Sequence, residues 1–207
     1  MKNRILLLLL IMVFACKEEK TQTPKELAVK NSIVKSFSPI DMKSWTKNKV
    51  SLDFVAEVEF NELVYHLKRT SKIESAYLSS PPIAVTYASV YRISIIVKKA
   101  ENTNIFGLRL SGLYPDRVDA IFNLENGTII DKKASRDFEF AEATIESLTD
   151  GWYKCTLKAE VAADNIRIII GGTDSKRTVV SWEGKTENLE DVYIVPSSIV
   201  LEEIILN

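Results

Sequence analysis

Two side chains of this sequence could form a catalytic dyad, the thiol of Cys155 and the imidazole of His66. Cys155 ends the stretch DGWYKC, residues 150–155, and His66 is the single histidine of the 207-residue chain. A nucleophilic cysteine needs a base within hydrogen-bond reach. Strand alternation places Cys155 on one face with Tyr153 and Leu157, whereas the histidine belongs to a separate segment. We therefore predict a buried structural thiol rather than a nucleophile.

The composition offers little support for other catalytic chemistry. Hydrolysis of a glycosidic bond requires two carboxyl groups about 5 to 10 Å apart, and none of the 28 acidic residues forms an obvious pair. One histidine and two cysteines do not make a zinc ligand cluster. A net charge of −1 lacks the cationic excess that nucleic-acid binding needs. We predict a non-enzymatic protein that does not bind nucleic acid, with a small polysaccharide lyase or hydrolase as the least favoured alternative.

The N-terminus has the layout of a secretory signal. Lys2 and Arg4 precede an apolar run over residues 5–14, which is too short to span a bilayer. The residues VFAC over 13–16, which include the end of this run, resemble a bacterial lipobox. In a lipobox, Cys16 would become acylated with palmitate or a similar chain. An ordinary signal peptide is the alternative.

Three segments follow from this layout. We predict a signal peptide over residues 1–15, a lipidated cysteine with a flexible tether over 16–30, and one domain over 31–207. The acidic cluster after the cysteine resembles the surface-export signal of Bacteroidetes lipoproteins. The expected location is the outer membrane, lipid-anchored and exposed at the cell surface, with a periplasm-facing lipoprotein as the alternative.

The pattern of the domain predicts β-strands throughout. In residues 86–98, alternation places six residues on one face of a half-buried strand: Tyr87, Ser89, Tyr91, Ile93, Ile95 and Val97. Other strands are predicted at residues 33–37, 50–60, 63–68, 105–110, 118–124, 141–148, 152–158, 165–170, 178–182, 191–195 and 199–205. Residues 62–69 could instead form a helical turn. Turns at Asn126-Gly127 and Asp150-Gly151 separate strands, and no amphipathic helix is evident. The expected fold is all-β, a two-sheet antiparallel β-sandwich of the jelly-roll, galactose-binding-like kind.

Four stretches together resemble a known family. They are YRISIIVKKAENTNIFGLRLSG, VDAIFNLENGTI, IESLTDGWYKCTL and NIRIIIGG, and WTKN precedes them at residues 45–48. This series resembles the CenC-like carbohydrate-binding jelly-roll modules of the family 4/9 type, in the version found in phage-tail and other surface proteins. The resemblance covers roughly residues 37–205. It implies a non-catalytic domain that binds a polysaccharide or oligosaccharide and serves neighbouring uptake or degradation proteins.

Many modules of this family hold a structural calcium ion. Here Val195 and Pro196 stand where acidic ligands would be expected. Asp41, Glu202 or Glu203 could still supply oxygen ligands. We therefore predict no cofactor, and the metal site stays undecided at this stage.

Sugar recognition combines exposed aromatic faces with planar polar side chains on rigid elements. Trp182 and Tyr114 are the predicted stacking residues, whereas Trp45 and Trp152 are assigned to the structure. The predicted outward-facing polar residues are Arg92, Arg109, Asp119, Asn123 and Arg167. Three guanidiniums on one concave sheet would suit carboxylated or sulfated glycans.

Each of these residues has a structural alternative, as a core aromatic or as part of an ordinary solvated face. If those alternatives hold, the chain is an interaction or structural subunit that docks on a partner protein and has lost sugar binding.

Overall fold

The computed structural model of the chain describes residues 33–37, 41–55, 62–174 and 177–205. The predicted signal peptide, Cys16 and the tether lie outside the described residues. Within these ranges, no helix has the length and apolar character that crossing a membrane requires.

The described residues form fourteen β-strands. They are β1 (Ile33–Phe37), β2 (Thr46–Asn48), β3 (Val50–Val55), β4 (Val64–Arg69), β5 (Tyr77–Ser79), β6 (Ile83–Ala84), β7 (Ser89–Lys99), β8 (Ile105–Ser111), β9 (Arg117–Asn123), β10 (Thr128–Ser135), β11 (Glu139–Ser147), β12 (Trp152–Val161), β13 (Asn165–Thr173) and β14 (Asp191–Ile205). Single 3-10 turns span Met42–Ser44, Thr149–Gly151 and Val179–Ser181.

The strands form two antiparallel sheets. Sheet 1 has the order β11-β12-β7-β14-β4-β3, with β1 added beside β14, and sheet 2 has the order β10-β9-β8-β13-β5-β2, with β6 added beside β13. The sheets share one apolar core. The predicted all-β, two-sheet jelly-roll sandwich is thereby confirmed.

The core follows from strand alternation. In β7, Tyr91, Ile93, Ile95 and Val97 are fully buried, as the pattern predicts. Sheet 2 supplies its own alternate residues to the same cluster, among them Phe106 of β8. Each large apolar side chain buried in this way contributes about 1.5–3 kcal/mol relative to an exposed one.

The two predicted turns also occur. Gly127 has a φ of 67° between β9 and β10, and the two strands pair as a hairpin. Asp150 and Gly151 have φ values of 54° and 79° where the chain reverses from β11 into β12. Positive φ is the conformation that asparagine, aspartate and glycine adopt most readily.

Some sequence-based boundaries are wrong. The helical turn considered for residues 62–69 does not form, since residues 64–69 are strand β4, and residues 191–205 form one strand with a bulge between Val195 and Val200. Residues 178–182 are not a strand, because their apolar side chains pack down onto sheet 2 from a 3-10 turn. The predicted strand over 50–60 ends at Val55, and its remainder lies outside the described residues.

The thiol and the imidazole lie on opposite faces of sheet 1. Cys155 is fully buried in the core. His66 faces outward, where its Nε2 lies 2.9 Å from Asp191 Oδ2. Because the pleat separates the two side chains, they cannot form a dyad.

Burial also makes the thiol unreactive, since it raises the pKa of Cys155 well above its usual value. In a Cys16→Ser variant, we expect no reaction of a disulfide reagent with the native chain at pH 8 and one equivalent of reacted thiol after unfolding. Rapid labelling of the native protein would contradict the assignment of Cys155 to the core.

Candidate functional site

The predicted binding residues divide between the two outer faces of the sandwich. Four of them lie on the outer face of sheet 2, because their neighbours in the strand point into the core: Arg109, Asp119, Asn123 and Arg167. Arg92 lies on the outer face of sheet 1, where its Nε donates to Glu202 Oε2 at 2.7 Å. The predicted grouping of three arginines on one face is therefore wrong.

Arg109 and Asp119 point outward, yet they are buried. Their side chains are 6% and 0% exposed. Arg109 Nε donates to Asp119 Oδ1 at 2.6 Å, and its two terminal nitrogens donate to the Glu183 carboxylate at 3.1 and 2.9 Å. The expectation that they are open to a ligand is wrong, because residues 178–183 pass over this part of sheet 2.

Trp182 covers the same part of the outer face of sheet 2. Its ring is fully buried, and its Nε1 donates to Asp119 Oδ1 at 3.0 Å. The ring rests on Gly107, where an added Cβ would approach the indole to 2.3 Å. The predicted stacking of a sugar on Trp182 is therefore wrong, since the ring already packs on the sheet. We refer to Arg109, Asp119, Trp182 and Glu183 as the charge cluster.

The electrostatics of the charge cluster follow from its burial. Burial raises the pKa of Asp119 to about 6, although Arg109 and Arg117 act in the opposite direction. Burial also disfavours the charged form of Arg109, but Asp119 and Glu183 offset this effect and raise its pKa above the usual value. At neutral pH the cluster is therefore a buried network of ions.

A second buried arginine holds the covering segment in place. Arg69 is 1% exposed. Its Nη2 donates to the carbonyl oxygens of Glu74, Glu183 and Gly184 at 2.9, 3.1 and 2.6 Å. Its Nη1 donates to the carbonyl oxygen of Gly172 at 3.5 Å. A buried guanidinium must keep such acceptors, so Arg69 fixes two loops against strand β13.

One end of the sandwich remains open. Residues 80–88 and the loops between β8 and β9 and between β12 and β13 border a cleft of about 480 Å³, which we call the end cleft. Its lining includes Tyr87, Leu113, Asp116, Asp164, Asn165 and Arg167. Such a volume lies in the range of small-ligand sites in proteins.

The polar lining of the end cleft is free to bind. In the described part of the chain, the side chains of Asp116, Asp164 and Asn165 make no hydrogen bond or ion pair. Tyr87 is 62% exposed. Tyr114 is 82% exposed and lies in the loop that supplies Asp116, so the cleft combines open aromatic rings with planar polar groups.

Residues 80–88 are hydrogen-bonded to residues 164–167, and the loop between β8 and β9 is held by hydrogen bonds of its own. Val85 N donates to Asp164 O at 2.9 Å, and Asp116 N donates to Leu113 O at 2.8 Å. Arg167 Nη1 donates to Ser80 O at 3.0 Å. A cleft built in this way is formed before a ligand arrives, which lowers the entropic cost of binding.

Sequence reasoning found part of this site and missed part. It selected Tyr114 and Arg167, but it placed Tyr87 in an inward-facing row, and β7 begins only at Ser89. Asn123 lies at the far end of β9 and accepts a hydrogen bond from Glu125 N at 2.8 Å, so it is not part of the end cleft.

Calcium ligands are not assembled. Asp41 Oδ1 accepts a hydrogen bond from Lys43 N at 2.9 Å, and Glu202 pairs with Arg92. Within the described ranges, no group of three or more His, Cys, Asp or Glu side chains could hold a metal ion. Among the described residues, Asp41 and Glu202 therefore have other partners, and the absence of a cofactor stays a prediction.

No protein-family model matches the chain. No curated protein matches it either. The CenC-like family therefore stays a prediction.

Three solved structures are similar to 84% of this chain. One contains the CBM22-1–GH10 modules of endo-1,4-β-D-xylanase 10B from Clostridium thermocellum, complexed with xylohexaose, with 14% identity and a TM-score of 0.44; this chain spans 28% of its length. A second is the C-terminal CBM6 of the laminarinase LamC from Zobellia galactanivorans, with 11% identity, a TM-score of 0.38 and 99% of its length covered. A third is the mannan-recognising carbohydrate-binding module TmCBM27, with 11% identity, a TM-score of 0.43 and 99% covered. At these identities the similarity concerns the fold alone.

The charge cluster predicts a specific pH dependence. Asp119→Asn removes the titrating carboxyl group but keeps the size and shape of the side chain, so this variant is the reference for the wild type. Since the pKa of Asp119 is about 6 in the folded state and about 3.9 in an unfolded chain, the folded wild type takes up a proton as the pH falls.

Wild-type stability should therefore rise by about 1 kcal/mol relative to the variant between pH 7.5 and pH 5. Urea unfolding of both chains across this range measures the difference. Parallel pH curves for the two proteins would contradict the assigned burial of the carboxylate.

Proposed function

We propose that the chain is a non-catalytic glycan-binding protein and that the end cleft is its site. The observation that carries this proposal is the set of free planar polar side chains, Asp116, Asp164 and Asn165, beside the exposed ring of Tyr87. Paired sugar hydroxyls suit carboxylates and amides, and the CH-rich face of a pyranose suits an aromatic ring.

The covered outer face of sheet 2 supports the same assignment. The charge cluster, which includes Trp182, fills the place where a ligand could lie across β8 and β9. On the outer face of sheet 1, Arg92 and Lys158 are engaged with Glu202 and Glu142. The end cleft instead offers polar groups that have no partner among the described residues.

We also propose that the protein is a lipoprotein anchored at the outer membrane and exposed at the cell surface through acylated Cys16. Its sandwich begins at Ile33, which pairs with Ile205, and Ile204 pairs with Val90 at the start of β7. The chain therefore enters the domain at the same end as the end cleft. A lipid on Cys16 would attach the protein to the same membrane as neighbouring uptake or degradation proteins.

A docking subunit without sugar binding is the second candidate. Its support is that Trp45, Trp152 and Trp182 are all buried, whereas Leu113 and Tyr114 are 84% and 82% exposed at a loop tip. Two exposed apolar side chains side by side are typical of a protein contact.

Glycan binding can be tested with a glycan array probed with the full-length chain, followed by titration of the strongest ligand. Tyr87→Ala should weaken that ligand roughly tenfold, because an aromatic stacking contact is worth about 1 kcal/mol or more. Phe140→Ala is the control, since Phe140 is 42% exposed on β11 of the other sheet. Absence of binding to every glycan would overturn the proposed function and favour the docking subunit.

Anchoring is tested separately in bacterial cells that are fed a labelled fatty acid. The wild-type chain should incorporate the label and fractionate with the outer membrane, and Cys16→Ser should lose both properties, because Cys16 supplies the acylated thiol. Equal labelling of the two chains would show that the lipid is not attached at this cysteine.

A further inference from the structure

A row of four residues crosses the outer face of sheet 2 beside the end cleft. The register places Ser135 of β10, Arg117 of β9, Ser111 of β8 and Arg167 of β13 side by side. Ser111 and Arg167 also line the end cleft. Because neighbouring strands lie about 4.8 Å apart, the two arginines stand about 10 Å apart on either side of Ser111.

Arg117 is ion-paired with Asp119 through Nε, and within the described residues its two terminal nitrogens make no hydrogen bond. Its Nε lies 3.4 Å from Asp119 Oδ2, but this buried nitrogen makes no hydrogen bond. Arg109 and Trp182 donate to Asp119 Oδ1, whereas in the described part of the chain Asp119 Oδ2 accepts no hydrogen bond and faces Arg117. The guanidinium carbon of Arg117 lies 6.0 Å from the ring centroid of Tyr114, so the tyrosine orients the arginine at the rim of the cleft.

Arg167 is also available. It is exposed, and its Nη1 donates a hydrogen bond to the backbone oxygen of Ser80. No carboxylate in the described ranges forms an ion pair with it. The second terminal nitrogen can therefore reach a ligand, and the positive charge is not neutralised by a direct partner.

The charges change sign across this end of the domain. Arg117 and Arg167 flank Ser111 on the sheet face, whereas the carboxylates of Asp116 and Asp164 lie in the cleft. A polysaccharide with a negative charge on every unit would be repelled by these carboxylates. A polysaccharide that alternates acidic and neutral units would place an acidic unit against the two arginines and a neutral unit against the carboxylates.

Resting on the proposed glycan site, we propose that the ligand is an acidic polysaccharide in which charged and neutral sugars alternate. A carboxylate or sulfate binds Arg117 and Arg167 across Ser111. The hydroxyls of the adjacent neutral unit bind Asp116, Asp164 and Asn165, and its apolar face packs on Tyr87. Bidentate pairing with guanidinium supplies the preference for the charged unit.

The test is an array of uronate-containing and sulfated polysaccharides, each printed beside its carboxyl-reduced or desulfated counterpart, together with neutral glycans. The full-length chain should bind at least one acidic, alternating glycan about tenfold more tightly than its uncharged counterpart. This preference should shrink between 50 and 500 mM salt because surface charge pairing is screened. Separate carboxyl-reduced and desulfated spots identify which anion is bound.

Equal binding to charged and uncharged counterparts would overturn the acidic ligand and leave the glycan function standing. Binding to nothing on the array would overturn both.

Two variants connect the preference to the arginine row. Arg167→Gln and Arg117→Gln should each lower the ratio of acidic to uncharged glycan affinity about tenfold, because only the charged unit contacts the guanidiniums. Arg92→Gln is the matched control, since Arg92 lies on the opposite sheet. Arg167 is exposed, so its variant should keep the wild-type melting temperature even if Arg117→Gln lowers it. Full retention of the preference in Arg167→Gln would overturn the proposal.

Discussion

The ion pair between Arg109 and Asp119 decides which surfaces of this protein face solvent. Both side chains point outward from sheet 2, so the strand pattern alone would leave them open to solvent. The chain returns about seventy residues later to supply Glu183 and Trp182 above them. Once this contact forms, the outer face of β8 and β9 belongs to the interior, which leaves the end cleft as the site that we propose for the ligand.

The charge cluster fixes the position of the covering segment but adds little to the free energy of unfolding. Removing two buried charges from water costs several kcal/mol per ion, and their attraction only roughly offsets that cost. Each partner is nevertheless specified by shape: Gly107 leaves room for the indole, and Arg69 fixes the backbone of Glu183. The covering segment therefore has a single favourable position, because any other would leave a buried charge without its partner.

The sequence predicts the sandwich well because strand alternation and turn chemistry are local properties. The inward row of β7, the turn at Gly127 and the burial of Cys155 all follow from the nearest few residues. Alternation also identifies the side of the sheet correctly for Arg109 and Asp119. It fails to predict their burial, because residues 178–183, which cover them, are distant in the sequence.

The candidate site shows the same division. Arg167 and Tyr114 were predicted from a strand and a loop, and both lie at the end cleft or its rim. Arg117 could have been found by the alternation that identified Asp119, two residues further on. Tyr87 could not, because the chain enters β7 only after Ala88, whose φ of 54° is not signalled by the sequence.

Hydrogen exchange in the presence of the tightest glycan from the array tests the central claim most directly. If sheet 2 is closed by the charge cluster, saturating glycan will slow exchange in residues 80–88, 111–116 and 162–167 and leave residues 178–188 unchanged. Altered exchange in residues 178–188, with none at the three loops, would show that the ligand displaces Trp182 and binds across the sheet.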